Sequence, residues 1–130
     1  MLLHISEQSS ETLQEQIIGQ IRARILSGDL APDSSLPSIR SLARELKVSV
    51  ITVQRAYDQL LNEELIYSRR GKGFFVASLE QSDKSALAQQ RFAQHLRSTI
   101  DTATRDGLSQ REIQEIFEKV LQSGDYNVRD

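Results

Sequence analysis

Apolar residues recur at helical spacing in several stretches of this chain and change to an alternating pattern in one. Leu13, Ile17, Ile18, Ile21 and Ile25 stand three and four apart, as on one face of an α-helix, so Leu13–Ser27 is predicted helical. Thr12 and Glu15 have the spacing of a capping box. Gly28 stops the helix, because it tolerates the left-handed conformation. Ahead of it, Leu2–Ile5 reads as a short strand or a loosely packed segment, and Ser6–Ser10 as a loop. The role expected of this helix is scaffold, a wall for the helices that follow.

Asp29–Ser35, with Pro32, reads as a loop. Pro37 then stands just before a helix start, with Ser38 as its cap and Arg40 in its first turn. Leu42, Ala43 and Leu46 supply that helix's apolar stripe. Lys47-Val48-Ser49 makes a tight turn, and Ser49 is suited to cap the next helix by accepting from a backbone N–H near Thr52. Val53, Ala56, Tyr57, Leu60 and Leu61 then turn inward, which leaves Ile51, Thr52, Gln54, Arg55 and Asp58 facing out. After Leu65 the period becomes two. Ile66–Ser68 reads as a strand, Arg69–Gly73 as a basic glycine turn and Phe74–Val76 as a second strand.

The rest is amphipathic helix. Leu79–Ser85 is a linker or a helix start. Ala86–Ala103 carries Leu87, Phe92, Leu96, Ile100 and Ala103 on one side, and Gly107 breaks it. Ser109 and Glu112 form a second capping box, followed by Ile113, Ile116, Phe117, Val120 and Leu121 as a stripe. Gly124 is expected to end this helix, and 126–130 to fray. The fold class expected is mainly α with a small β-hairpin. A winged helix-turn-helix domain (1–78) is followed by a short two-helix dimerisation element (79–130).

Two helices around a tight turn, the second starting with exposed Thr, Gln and Arg side chains, suit a reader of the DNA major groove. A hairpin directly after such a helix is a wing. Three cations and two glycines at its tip suit a backbone that crosses phosphates and enters a minor groove, where Gly73 serves by lacking a side chain. The candidate DNA-contacting set is Ser38, Arg40, Ser49, Ile51, Thr52, Gln54, Arg55, Arg69, Arg70, Lys72 and Gly73. Composition argues the other way at first, since the net charge of the 130 residues is −2. Its distribution answers this. Residues 1–78 hold nine basic and nine acidic groups, whereas 79–130 hold seven and nine. Arg40, Arg44, Arg55, Arg69, Arg70 and Lys72 cluster on the helix-turn-helix and hairpin, and local clustering is the relevant footprint.

Leu36–Ala77 also resembles the winged-helix domain of the GntR family of bacterial transcriptional regulators. The Leu36-Pro37-Ser38-x-Arg40 opening, the Thr52-Val53-x-x-Ala56-Tyr57 core and the Gly71-Lys72-Gly73-x-Phe75-Val76 ending stand in order. With the upstream helix the likeness covers roughly residues 10–77. The Ser49–Val53 variant and the short tail are similar to the YtrA-type branch. The resemblance implies that Arg40 contacts a guanine, which a guanidinium can engage through two bonds. It implies repression, in that branch of operons encoding ABC transporters. The chain departs from the family where Lys47, Asp33 and Glu64 replace usual glycines and Val50 replaces an arginine that often contacts DNA. The roughly fifty residues after the wing are too few for the large effector domains of other branches. An unidentified small-molecule effector would sit between the wing domain and the tail.

One winged helix makes few contacts, whereas specific sites outbind other DNA by about 4–10 kcal/mol. A homodimer through Phe92, Leu96, Ile100, Ile113, Ile116, Phe117 and Val120 supplies that margin, and the alternative is that the tail folds back on its own core. A two-fold dimer predicts a palindromic operator with half-sites about 34 Å apart.

Other functions lack support in the residues. There is no cysteine, so disulfides and thiolate metal sites are excluded and a reduced cytoplasmic setting is expected. No metal or cofactor is expected. His4 and His95 are far apart and without ligand-spaced partners, and Lys72 is not in a phosphate-loop spacing, so an enzyme is not expected. The start of the chain lacks the basic and apolar runs of a signal peptide, and no stretch approaches the ~18 apolar residues of a spanning helix. A winged helix that binds protein instead of DNA is the remaining rival; salt dependence separates the two.

Overall fold

The computed structural model describes residues 1–123; the ends expected at Gly124 and 126–130 lie outside them. The elements are α1 (Leu13–Ser27), α2 (Ile39–Leu46), α3 (Val50–Asn62), β1 (Ile66–Arg69), β2 (Gly73–Val76), α4 (Gln81–Arg105) and α5 (Gln110–Ser123). The chain forms two compact units, Met1–Ser85 and Ala86–Asp130.

In the first unit α3 is the hub, packed on α1, α2 and β1. Ile17, Ile21, Leu42, Val53, Ala56, Tyr57 and Leu60 are all sealed from solvent, which are the positions that the apolar spacing turned inward. Leu26 and Leu46 at the rim stay half-exposed. At the top of α1 the Thr12 hydroxyl accepts from the N–H of Glu15. Arg22 of α1 grips Glu63 at the end of α3 through two parallel bonds, 2.8 and 2.6 Å. This fork has a fixed geometry, so it sets where the end of α3 lies along α1.

No strand forms at Leu2–Ile5. Instead the segment runs along α1 and is held by side chains. Gln20 bonds both the N–H and the carbonyl of His4, Gln16 does the same for Ser6, and Arg24 donates to the carbonyl of Leu2. The match has a simple metric cause. Four helical residues advance about 6 Å, and two extended residues about 6.6 Å, so helix positions 16, 20 and 24 meet alternate residues of an antiparallel segment. Leu3, between the anchored residues, is buried.

The hairpin pairs Ile66 with Val76, Tyr67 with Phe75, Ser68 with Phe74 and Arg69 with Gly73. Each strand is one residue longer than its sequence pattern suggested, because Arg69 and Gly73 pair instead of belonging to the turn. The loop before α2 covers the outer edge of β2. Asp33 donates to Val76, Val76 to Ser34 and Leu36 to Phe74, at 2.8–2.9 Å. An open sheet edge is thereby closed.

Two helix ends of this unit are built alike. At the end of α2, Lys47 N–H donates to Arg44 and Val48 N–H to Ala43; at the end of α3, Glu64 donates to Leu61 and Leu65 to Leu60. These are Schellman motifs. They require a left-handed residue, and Lys47 and Glu64 take φ of 57° and 60°. Both stand where the resembled family has glycine, as does Asp33, at φ 64°.

The second unit contains α5 and most of α4. Gln81–Ser85, open in the sequence between linker and helix start, is helical. Gly107 closes α4 in the same Schellman pattern, with Leu108 bonded to Ala103. Ser109 and Glu112 form the complete capping box, each side chain bonding the other's N–H at 3.1 and 2.9 Å. No side chain of α4 or α5 is buried.

Candidate nucleic-acid interface

Ser38 caps α2 by accepting from the N–H of Ser41 at 3.0 Å, which places Arg40, exposed, in the first turn. Tyr57 fixes that turn to α3. Its buried hydroxyl donates to the carbonyl of Pro37 at 2.8 Å, and its ring meets Phe74 edge-on at 4.9 Å. Burial, with Glu45 adding to it, pushes the Tyr57 hydroxyl far above its ordinary pKa, so it stays a donor. A single side chain thus joins the start of α2, the middle of α3 and the hairpin.

Ser49 caps α3, accepting from the N–H of Thr52 at 3.1 Å, as its position suggested. Its hydroxyl also pairs with that of Thr52 at 2.8 Å. Thr52 is only half-exposed, so these two hydroxyls arrive already engaged with each other. Ile51 is 59% exposed, and Gln54, Arg55 and Asp58 are exposed beside it. Of the row expected to face out, Ile51, Gln54, Arg55 and Asp58 do so, while Thr52 is half-buried because its hydroxyl turns back to Ser49.

At the hairpin, Arg69, Arg70, Lys72 and Gly73 are all exposed. Lys72 N–H donates to the carbonyl of Arg69 at 2.9 Å and closes the turn. Gly71 and Gly73 have φ of 74° and 105°. A Cβ at Gly73 would meet no atom within 4 Å. Within the protein, backbone conformation is what calls for glycine there.

The sequence reading missed what surrounds Arg69. Tyr67 and Phe75 stack at 5.6 Å with 23° between their planes, and the Arg69 guanidinium carbon lies 5.7 and 5.9 Å from the two ring centres. Tyr67 donates its hydroxyl to Asp33 at 2.8 Å, a bond that raises its pKa. The signal was present: Tyr67 and Arg69 share a strand face by alternation, but their register against Phe75 is set only by the hairpin.

In the second unit α4 and α5 enclose an apolar groove of about 740 Å³. Leu96, Ile100, Ile113, Ile116, Phe117 and Val120 line it. Phe92, also expected at an interface, does not line it and stands 60% exposed. No helix among the described residues is long and apolar enough to cross a membrane.

These features define a winged helix-turn-helix: a tripod of helices, an exposed helix start and a hairpin directly after it. Residues 13–76 match the family described as bacterial regulatory proteins of the gntR type. The solved structure of YtrA from Sulfolobus acidocaldarius, a GntR-family transcription factor, is 30% identical. The match covers 95% of this chain and 100% of that one, with a TM-score of 0.56. The chain therefore belongs to the GntR family of transcriptional regulators. It is similar to the transcriptional repressor NagR of Bacillus subtilis, 39% identical over 75 residues, 58% of this chain and 31% of that protein. The matched stretch spans from about a third to less than two thirds of the length of the curated relatives it first resembles. The DNA-binding domain of AraR, solved in complex with operator ORE1, is 27% identical over 59% of this chain and 94% of that one, with a TM-score of 0.50.

Proposed function

We propose that this chain is a repressor that binds a palindromic operator as a homodimer, with α3 in the major groove and the hairpin in the adjacent minor groove. The observation that carries the reading is the solvent-facing row Ile51, Gln54 and Arg55 at the start of α3, on a helix whose other face is sealed in the core. Ile51 suits a thymine methyl, Gln54 an adenine edge, and Arg40 and Arg55 guanine edges or phosphates. Ser38, Ser49 and Thr52 lie at helix starts, where backbone N–H groups favour phosphate. Arg69, Arg70 and Lys72 supply phosphate contacts, and Gly73 lets the wing backbone approach closely.

The uncovered faces of α4 and α5 support self-association, because each leaves large apolar side chains in water that a second copy would cover. The operator complex of the AraR domain supports DNA as the partner. An effector would act by changing the spacing of the two reading heads; a reduced cytoplasmic setting fits all of this. Footprinting on the promoter of the protein's own operon is the test. The expected result is protection of two symmetric half-sites about one helical turn apart, with affinity falling steeply as salt rises. Absence of protection at low salt, or binding indifferent to salt, overturns the reading.

A further inference from the structure

We propose that Tyr67 and Phe75 are positioning residues for Arg69, holding its guanidinium in place for a DNA phosphate before DNA arrives. The inference rests on the DNA-binding reading above.

The geometry starts with alternation. Tyr67 and Arg69 are two apart on β1 and so share a face. Phe75 is directly across from Tyr67, and Gly73 across from Arg69. Arg69 therefore has no cross-strand side chain of its own, and the diagonal neighbour Phe75 is within reach of a long side chain. The result is close to an equilateral triangle. The rings are 5.6 Å apart, and the guanidinium carbon is 5.7 Å from one and 5.9 Å from the other. Both distances fall inside the ~6 Å over which a ring face attracts a cation.

This platform is itself anchored. Tyr67 is tied by its hydroxyl to Asp33, and the Asp33 backbone N–H is tied to Val76 of β2 at 2.8 Å. The anchor and the strand therefore move together. The Asp33 carboxylate also bears on why that residue stands in a left-handed position where glycine would cost less. Glycine there would leave the Tyr67 hydroxyl without its acceptor.

Core packing does not explain the arrangement. Tyr67 and Phe75 are only half-buried and Arg69 is exposed, while the opposite face of the hairpin buries Ile66 and Val76. Among the described residues no carboxylate forms an ion pair with Arg69. An arginine loses rotamer freedom on binding, and a stacked one has lost part of it already. Arg69 also bonds the Tyr67 side chain, which tethers it further and leaves its remaining N–H donors for a phosphate.

The test measures binding of the full chain to a mixed-sequence duplex, long enough for one dimer, by fluorescence anisotropy across a salt series. Arg69→Ala is expected to flatten the salt dependence by about one phosphate contact per chain. Tyr67→Leu and Phe75→Leu are each expected to weaken binding about two- to five-fold. Neither is expected to weaken it further once Arg69→Ala is present. Tyr67→Phe, which keeps the ring and loses the anchor, is expected to fall between wild type and Tyr67→Leu. Thermal melts confirm that each variant is folded; if Tyr67→Leu is not, Phe75→Leu carries the cycle alone. Equal losses with and without Arg69 would mean that the rings act through the fold, and the proposal fails. No loss from either ring variant also defeats it. If Arg69→Ala changes nothing, Arg69 does not touch DNA and the proposal fails while the recognition-helix reading stands. If the wild-type chain ignores duplex DNA, both fall together.

Discussion

In the unit Met1–Ser85, Tyr57, Ile17, Ile21, Leu42 and Leu60 are closed off from water. Along α4 and α5 no side chain is buried, and Phe92, Val120 and Leu121 are 60%, 43% and 68% exposed. Both regions have apolar stripes of the same helical period. What separates them is the number of walls. Three short helices and a hairpin surround one another, so every stripe finds a partner within the chain. α4 and α5 have no third wall, so the apolar groove between them stays open. One unit therefore closes its apolar faces within the chain, and the other leaves them open.

The sharpest way to break that contrast is to remove one ring from each region. Tyr57→Ala should destabilise the protein by about 3–5 kcal/mol, since it opens a cavity and strands the Pro37 carbonyl. Denaturant titration reads the loss. Phe117→Glu should leave the Met1–Ser85 core intact and instead lower self-association, read by sedimentation. Binding to a two-half-site operator should fall about 10²-fold or more as the linked second head is lost. A Phe117→Glu protein that unfolds like Tyr57→Ala would show that the tail is core after all.

Arg40→Ala is expected next in size. It should weaken operator binding by about 1–3 kcal/mol and relax sequence preference at one position, without moving the melting temperature. Binding assays on operator variants decide it. An unchanged affinity removes Arg40 from the interface.

The helix ends sharpen the comparison further, because one motif is built with different residues. Lys47→Gly and Glu64→Gly should each stabilise the first unit by about 0.5–1 kcal/mol, relieving a left-handed side chain at some cost in unfolded-state entropy. Gly107→Ala should destabilise the second by about 1 kcal/mol. Thermal melts of the three variants should therefore move in opposite directions. Asp33→Gly should not share the gain, since Tyr67 would lose its acceptor.

The smallest effect belongs to α5. Hydrogen bonds from Ser109, backbone first and hydroxyl second, hold the Glu112 carboxyl below its ordinary pKa. A depressed folded pKa means that the cap contributes above the ordinary carboxylate range and is lost as pH falls through the folded value. The Ser109 amide resonance should shift over that acidic window. Glu112→Gln, which can still cap, should abolish the shift.

Local chemistry made much of this protein readable from its residues. Helix faces follow from apolar spacing. Helix starts follow from Thr12, Ser38, Ser49 and Ser109, because a hydroxyl needs only the N–H groups one turn ahead. The outward row after Ser49 follows from which neighbours must turn inward. The left-handed position at Lys47 was visible too, through the glycine it replaces. Tertiary structure alone decided what depends on register between distant segments. It zipped Leu2–Ser6 to Gln16, Gln20 and Arg24, closed the Arg22–Glu63 fork, and brought Arg69 over Tyr67 and Phe75 with Asp33 behind them. Those contacts join residues up to 41 positions apart, and no periodicity along a chain encodes which of many long side chains will meet. Packing of the hub helix sets that, and only then do the side chains come within bonding distance.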